Sequence, residues 1–130
     1  MTHILLDIKY KQPNSLLYDS KRGESIINSW CEYNNHKLVM PPVSHIFAPS
    51  SQELSVNNNG HGHGHGYTSI GILKESHISI HTYPEKNGIQ IDFFSCKELN
   101  EPQNVQYMER VFKKSDALNY TCKIIQRGLS

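Results

Sequence analysis

The chain has 130 residues, 37% of them hydrophobic, enough for one core and too few for two, because domains commonly hold about 100–150 residues. Thirteen Lys and Arg against twelve Asp and Glu leave a formal charge of +1, so no global field gathers nucleic acid or an anionic membrane. The longest apolar runs, such as Ile4-Leu5-Leu6, fall far short of the roughly 20 residues that span a bilayer.

Thr2 to Tyr10 alternates, with Ile4, Leu6 and Ile8 on one parity, as a strand with one buried side does. Pro13-Asn14-Ser15 breaks the pattern, and over residues 25–33 the apolar positions Ile26, Ile27, Trp30 and Tyr33 recur at helical spacing. Beyond Asn34-Asn35, residues 37–40 read as a short strand stopped by Pro41-Pro42. Residues 50–66, rich in serine and asparagine and ending in alternating glycine and histidine, hold almost nothing to bury and read as a low-complexity loop. Residues 67–73, 77–82 and 89–96 read as strands, with Asn87-Gly88 as a two-residue hairpin turn between the last two. Asn100-Glu101-Pro102-Gln103 opens a helix striped by Val105, Met108, Val111 and Phe112, and residues 120–125 close the chain as a strand. Two helices and about six strands predict an α+β fold over residues 1–130. The expected form is a two-layer sandwich with both helices on one face of a mainly antiparallel sheet.

Three widely spaced cysteines, Cys31, Cys96 and Cys122, form no CxxC pair and read as reduced thiols. The opening residues have neither the basic start nor the apolar stretch of a signal peptide, so a cytoplasmic protein is expected.

The most informative stretch runs Gly66-Tyr67-Thr68, an apolar run, Glu75-Ser76-His77, then Ile80-His81-Thr82-Tyr83-Pro84-Glu85, followed by Asp92-Phe93-Phe94-Ser95-Cys96. It resembles the S-adenosylmethionine decarboxylase family in its short, prokaryotic-type, pyruvoyl-dependent form. That family's pattern reads GVS, an apolar run, ESH, a variable pair, IHTWPE and a DVFTC strand, and Tyr83 stands here at the tryptophan position. The likeness reaches both ends of the chain, through Thr2-His3-Ile4-Leu5-Leu6-Asp7, Leu16-Leu17-Tyr18-Asp19 and the terminal Arg127-Gly128. His45-Ile46-Phe47-Ala48-Pro49 resembles the family's HxFxP, which there directly precedes GVS; here residues 50–66 are inserted between them.

The resemblance implies a self-processing proenzyme cut between Glu75 and Ser76 into residues 1–75 (the β chain) and 76–130 (the α chain). The Ser76 hydroxyl would attack the Glu75 carbonyl to give an ester, and elimination would leave dehydroalanine, which hydrolyses to a pyruvoyl group and ammonia. A pyruvoyl carbonyl forms a Schiff base with the substrate amine and accepts the electrons left when carbon dioxide departs, so no external cofactor is expected. The resemblance further implies His81, with the Thr68 hydroxyl, in processing, and Cys96 as proton donor to the substrate carbon. By the same resemblance, Glu85 would bind the ribose hydroxyls, and Tyr83 and Phe47 would stack on adenine. The implied activity is conversion of S-adenosylmethionine to its decarboxylated form, the aminopropyl donor of spermidine biosynthesis, in a homodimer of processed protomers. A same-family arginine or ornithine decarboxylase is the nearest rival, and an unprocessed, non-enzymatic homologue or partner subunit the next. The family's Gly-Cys pair after the first strand is missing, and Lys97 replaces a glycine after Cys96.

Spacing alone does not join Ser76 to His81, since five residues of straight strand separate them by roughly 16 Å on opposite faces. Cys96 fares better: a two-residue turn at Asn87-Gly88 pairs Lys86 with Ile89 and, in that register, sets Ser79 opposite Cys96. His61, His63 and His65 alternate with glycine, which lets imidazoles converge on Zn²⁺, Ni²⁺ or Cu²⁺. With no cysteine beside them, and glycine making the segment costly to order, they read as a solvated loop and not as a metal site. His77 reads as a strand residue, and Cys31 and Cys122 as core or interface.

Overall fold

A computed structural model describes residues 1–47 and 65–129. Among these, six strands form one antiparallel sheet: β1 (Thr2–Tyr10), β2 (Val43–Ile46), β3 (Tyr67–Leu73), β4 (Ser76–Tyr83), β5 (Gly88–Ser95) and β6 (Ala117–Gln126), in the order β2-β3-β4-β5-β1-β6. Helices α1 (Ser20–Tyr33) and α2 (Glu101–Val111) cover one face. The expected α+β sandwich is therefore the observed one. Most of the segment read as a low-complexity insertion, with His61 and His63, lies outside the described residues.

The core sits between helices and sheet because strand alternation and helical stripe meet there. Leu6, Ile78, Ile80 and Phe93 from the strands and Ile27, Trp30, Met108 and Phe112 from the helical side are fully buried. Trp30 joins the layers: its ring stacks on Tyr107, meets Phe93 edge-on at 4.9 Å, and its Nε1 donates to Asn104 Oδ1 at 2.8 Å. Among the described residues the opposite sheet face carries no helix, although it presents the apolar Val43, Ile70, Ile72 and Ile125.

Three expectations are corrected. Helix α1 begins at Ser20, five residues before the striped segment. Asp19 caps it by accepting from Lys21 N at 3.0 Å, so a polar first turn is held by its cap and not by apolar contacts. Residues 37–40 make only an isolated bridge, Leu38 with Leu73, and the neighbouring strand forms beyond the prolines at Val43–Ile46, where every residue can donate to β3. The β4–β5 connection is not a two-residue turn. Pro84 opens a 3₁₀ turn over Pro84–Lys86, Asn87 takes the left-handed conformation, and Tyr83 pairs with Gly88 across four intervening residues. The register therefore sets Ser79 opposite Asp92, not Cys96.

Candidate active site

The β3–β4 hairpin turns through Lys74-Glu75, with Leu73 opposite Ser76. Glu75 has φ 63°, left-handed backbone that costs an L side chain about 1–2 kcal/mol. Lys74 is not among the positive-φ residues, so the turn differs from the primed types that suit hairpin twist. A residue with strained backbone thus directly precedes Ser76.

Ser76 begins β4 on the helix-facing side and is buried. Its Oγ accepts a hydrogen bond from Cys96 N–H at 2.8 Å. The shifted register makes this contact: β5 ends at Ser95, and the next residue arrives beside the start of β4. Cys96 is half-buried, with Sγ 3.9 Å from the Lys74 carbonyl oxygen. Ser76 and Cys96 are therefore brought closer together than the two-residue turn would have placed them.

Thr68 and His81 form a second pair, opposite one another in the β3–β4 ladder and joined by a 2.7 Å contact between Thr68 Oγ1 and His81 Nδ1. They lie on the helix-free face, as the inside–outside alternation of β4 requires. Strand β4 runs from Ser76 through His81 with an unshifted register to β3, so the roughly 16 Å separation read from the strand repeat stands. The two pairs do not meet within this chain.

Phe47, Gly66 and Tyr83 line up across the other end of the sheet. Phe47 N–H donates to Gly66 O at 2.9 Å, and a Cβ on Gly66 would come within 2.9 Å of the Pro84 ring. Phe47 and Tyr83 are both exposed, and the Thr82 carbonyl and the Pro84 ring already fill the space that a Gly66 side chain would need. Tyr83 OH donates to Gln90 Oε1 at 3.2 Å, and Glu85 is exposed in the following 3₁₀ turn. A cavity of about 450 Å³ opens beside Tyr83, lined also by Asp7, Lys9, Lys86 and Asn119. No group of three or more His, Cys, Asp or Glu side chains able to hold a metal occurs among the described residues.

Sequence reasoning missed His36 and Ser95, which meet at 2.9 Å between His36 Nε2 and Ser95 Oγ. Burial, and secondarily the Lys97 ammonium, push the His36 pKa below its usual value. Ser95 adjoins Cys96 in the motif, but nothing in the spacing points to a histidine 59 residues away.

A family model described as S-adenosylmethionine decarboxylase matches residues 2–128. An S-adenosylmethionine decarboxylase proenzyme 2 of Bacillus cereus is 45% identical over 50 residues, 38% of this chain and 41% of the relative. An S-adenosylmethionine decarboxylase proenzyme of Brevibacillus brevis is 40% identical over 63 residues, 48% of this chain and 45% of the relative. The chain thus spans under half the length of these curated relatives. The crystal structure of an adenosylmethionine decarboxylase from Aquifex aeolicus shares the fold, with TM-score 0.65 and 20% identity over 99% of this chain and 91% of that one.

Proposed function

The chain belongs to the S-adenosylmethionine decarboxylase family, and on that premise we propose that it is a self-processing decarboxylase that releases carbon dioxide from S-adenosylmethionine. Its product would be the aminopropyl donor for spermidine synthesis. The observation that carries the reading is the buried Ser76, held by Cys96 N–H at 2.8 Å immediately after a left-handed Glu75. Cleavage falls between these two residues, giving pieces 1–75 and 76–130.

In processing, the Ser76 Oγ–C bond forms at the Glu75 carbonyl as the Glu75–Ser76 amide breaks. Loss of the Ser76 α-proton then expels the Glu75 carboxylate, and water replaces the nitrogen of the remaining dehydroalanine, which leaves as ammonia. A pyruvoyl group fits the site, since it would take the buried position of Ser76 itself, beside the Cys96 N–H. Its carbonyl supplies the electron sink for loss of carbon dioxide. Cys96 returns a proton to the substrate carbon, Glu85 accepts hydrogen bonds from the ribose diol, and Phe47 and Tyr83 stack on adenine.

Tyr83 stands seven strand residues from Ser76, roughly 23 Å away, farther than an extended S-adenosylmethionine reaches. We therefore assign Tyr83, Glu85 and Phe47 to the site of a second copy, in a homodimer closed over the helix-free sheet face. The uncovered apolar residues there supply the surface. The same assembly is required for His81 and Thr68 to assist processing, because their face is the one it covers.

Intact mass of the denatured protein tests the reading. Two fragments in the wild type, with a single uncut chain for Ser76→Ala, are expected, followed by carbon dioxide release from S-adenosylmethionine. A wild-type chain that stays whole on long incubation refutes self-processing, and release from arginine or ornithine instead refutes the substrate.

A further inference from the structure

Behind the Ser76–Cys96 contact lies a buried hydroxyl and imidazole pair that the reaction as described leaves unused. Ser95 is fully buried. Its Oγ donates to Lys97 O at 2.8 Å and accepts from Lys97 N–H at 3.3 Å, folding the chain into a tight bend straight after β5. The single hydroxyl hydrogen is spent on Lys97 O, so the 2.9 Å contact with His36 Nε2 requires the ring to be the donor. His36 is itself buried and fixed by its backbone: its N–H donates to Cys31 O at 2.9 Å, and the Cys31 thiol donates to His36 O at 3.0 Å. Lys97 Nζ donates to Asn35 O at 2.9 Å. The bend is thus clamped on both sides of Cys96 to the end of α1.

Cys96 is the residue between the two clamped ones, and its N–H donates to Ser76 Oγ. We propose that His36 and Ser95 are positioning residues for self-cleavage, holding the bend that aims the Cys96 N–H at the attacking oxygen. The inference rests on the self-processing reading. A displacement of the donor by about 1 Å is enough to cost up to roughly 100-fold in rate, and removal of the Ser95 hydroxyl frees the bend and strips His36 of its acceptor.

The test follows conversion of freshly purified uncut chain into two fragments, alongside thermal unfolding, for wild type, Ser95→Ala, Ser95→Thr and the double variant Ser95→Ala with His36→Phe. Ser95→Ala is expected to slow cleavage at least about tenfold, and Ser95→Thr, which keeps the hydroxyl and matches the family's FTC pattern, to restore most of it. The double variant removes the imidazole that Ser95→Ala leaves without its acceptor, and packs an apolar ring where His36 already lies 5.8 Å from the Phe93 ring. It should regain melting temperature and stay slow to cleave. Wild-type rates in Ser95→Ala, or recovery of rate together with stability in the double variant, overturn the inference and leave self-processing intact. A wild type that never cleaves overturns both.

Discussion

The amide of Cys96 donates to the hydroxyl of Ser76 at 2.8 Å, so the residue proposed to return a proton to substrate also holds, through its backbone, the nucleophile of cleavage. The two tasks are separable by mutation because one uses the thiol and the other the N–H. Cys96→Ala keeps the amide, and it should cleave within a few-fold of wild type. It should decarboxylate about 100-fold more slowly, the usual loss on removing a general acid. Fragment yield and carbon dioxide release, measured on one preparation, decide it; parallel loss of both would reject the division.

Glu75 has a φ of 63° that glycine adopts freely. In an uncut Ser76→Ala background, Glu75→Gly should stabilise the chain by about 0.5–1 kcal/mol, the relief of left-handed strain less the extra freedom of the unfolded glycine. With Ser76 present the same change should slow cleavage, since strain released on breaking the Glu75–Ser76 bond is no longer available. Urea unfolding measures the first effect and a cleavage time course the second, and a destabilised Glu75→Gly would sink the strain argument.

The folded state resists protonating His36, whose pKa burial and the Lys97 ammonium lower. The unfolded chain takes up that proton near pH 6.5, so below this pH it binds more protons than the folded one. Stability therefore falls as pH drops from about 6.5 toward the lowered folded value, and His36 adds no slope above that window. In the uncut Ser76→Ala background, the loss of melting temperature between pH 7 and 5.5 should be smaller with His36→Phe. An equal loss in both would show that other groups carry the acid sensitivity.

The first turn of α1 offers a packing test. A Cβ on Gly23 would meet the Tyr67 ring at 2.7 Å and its hydroxyl oxygen at 2.8 Å, and that hydroxyl is committed to Leu16 O at 2.6 Å. Gly23→Ala gains up to about 1 kcal/mol of helix propensity, but overpacking a buried aromatic costs typically 1–3 kcal/mol. Net destabilisation in denaturant is expected; a stabilised variant would mean that Tyr67 moves freely.

Where local pattern dictated structure, the sequence was legible: β1 alternates from Thr2 to Tyr10 and β3 from Tyr67 to Leu73, and both strands have these bounds. The start of α1 was not, because Lys21-Arg22-Gly23-Glu24 carries no apolar stripe and the helix there depends on the Asp19 cap and on contact with Tyr67. Asn87-Gly88 misled in the register because Pro84, placed just before it, makes a 3₁₀ turn that lengthens the connection to four residues. That displacement draws Cys96 to Ser76, a contact that periodicity could not supply. His36 and Ser95 escaped notice for a related reason, since a pair 59 residues apart is joined only by the packing of the α1 terminus on the end of β5.

A shared site has a consequence that single variants cannot show. In a two-fold dimer each site would combine Ser76 and Cys96 of one copy with Tyr83, Glu85 and Phe47 of the other. Cys96→Ala and Glu85→Ala should each have little activity alone. In a mixed dimer one site carries both substitutions and the other carries neither. Random reassortment makes half the dimers mixed, each with one intact site of two, so the mixture should recover about a quarter of wild-type turnover. Cleavage must be complete before mixing, so that only decarboxylation is read, and Ile72→Glu on the helix-free face should abolish the recovery by keeping the chains apart. Recovery near zero in freely exchanging dimers would place all the binding groups in one copy and refute the shared site.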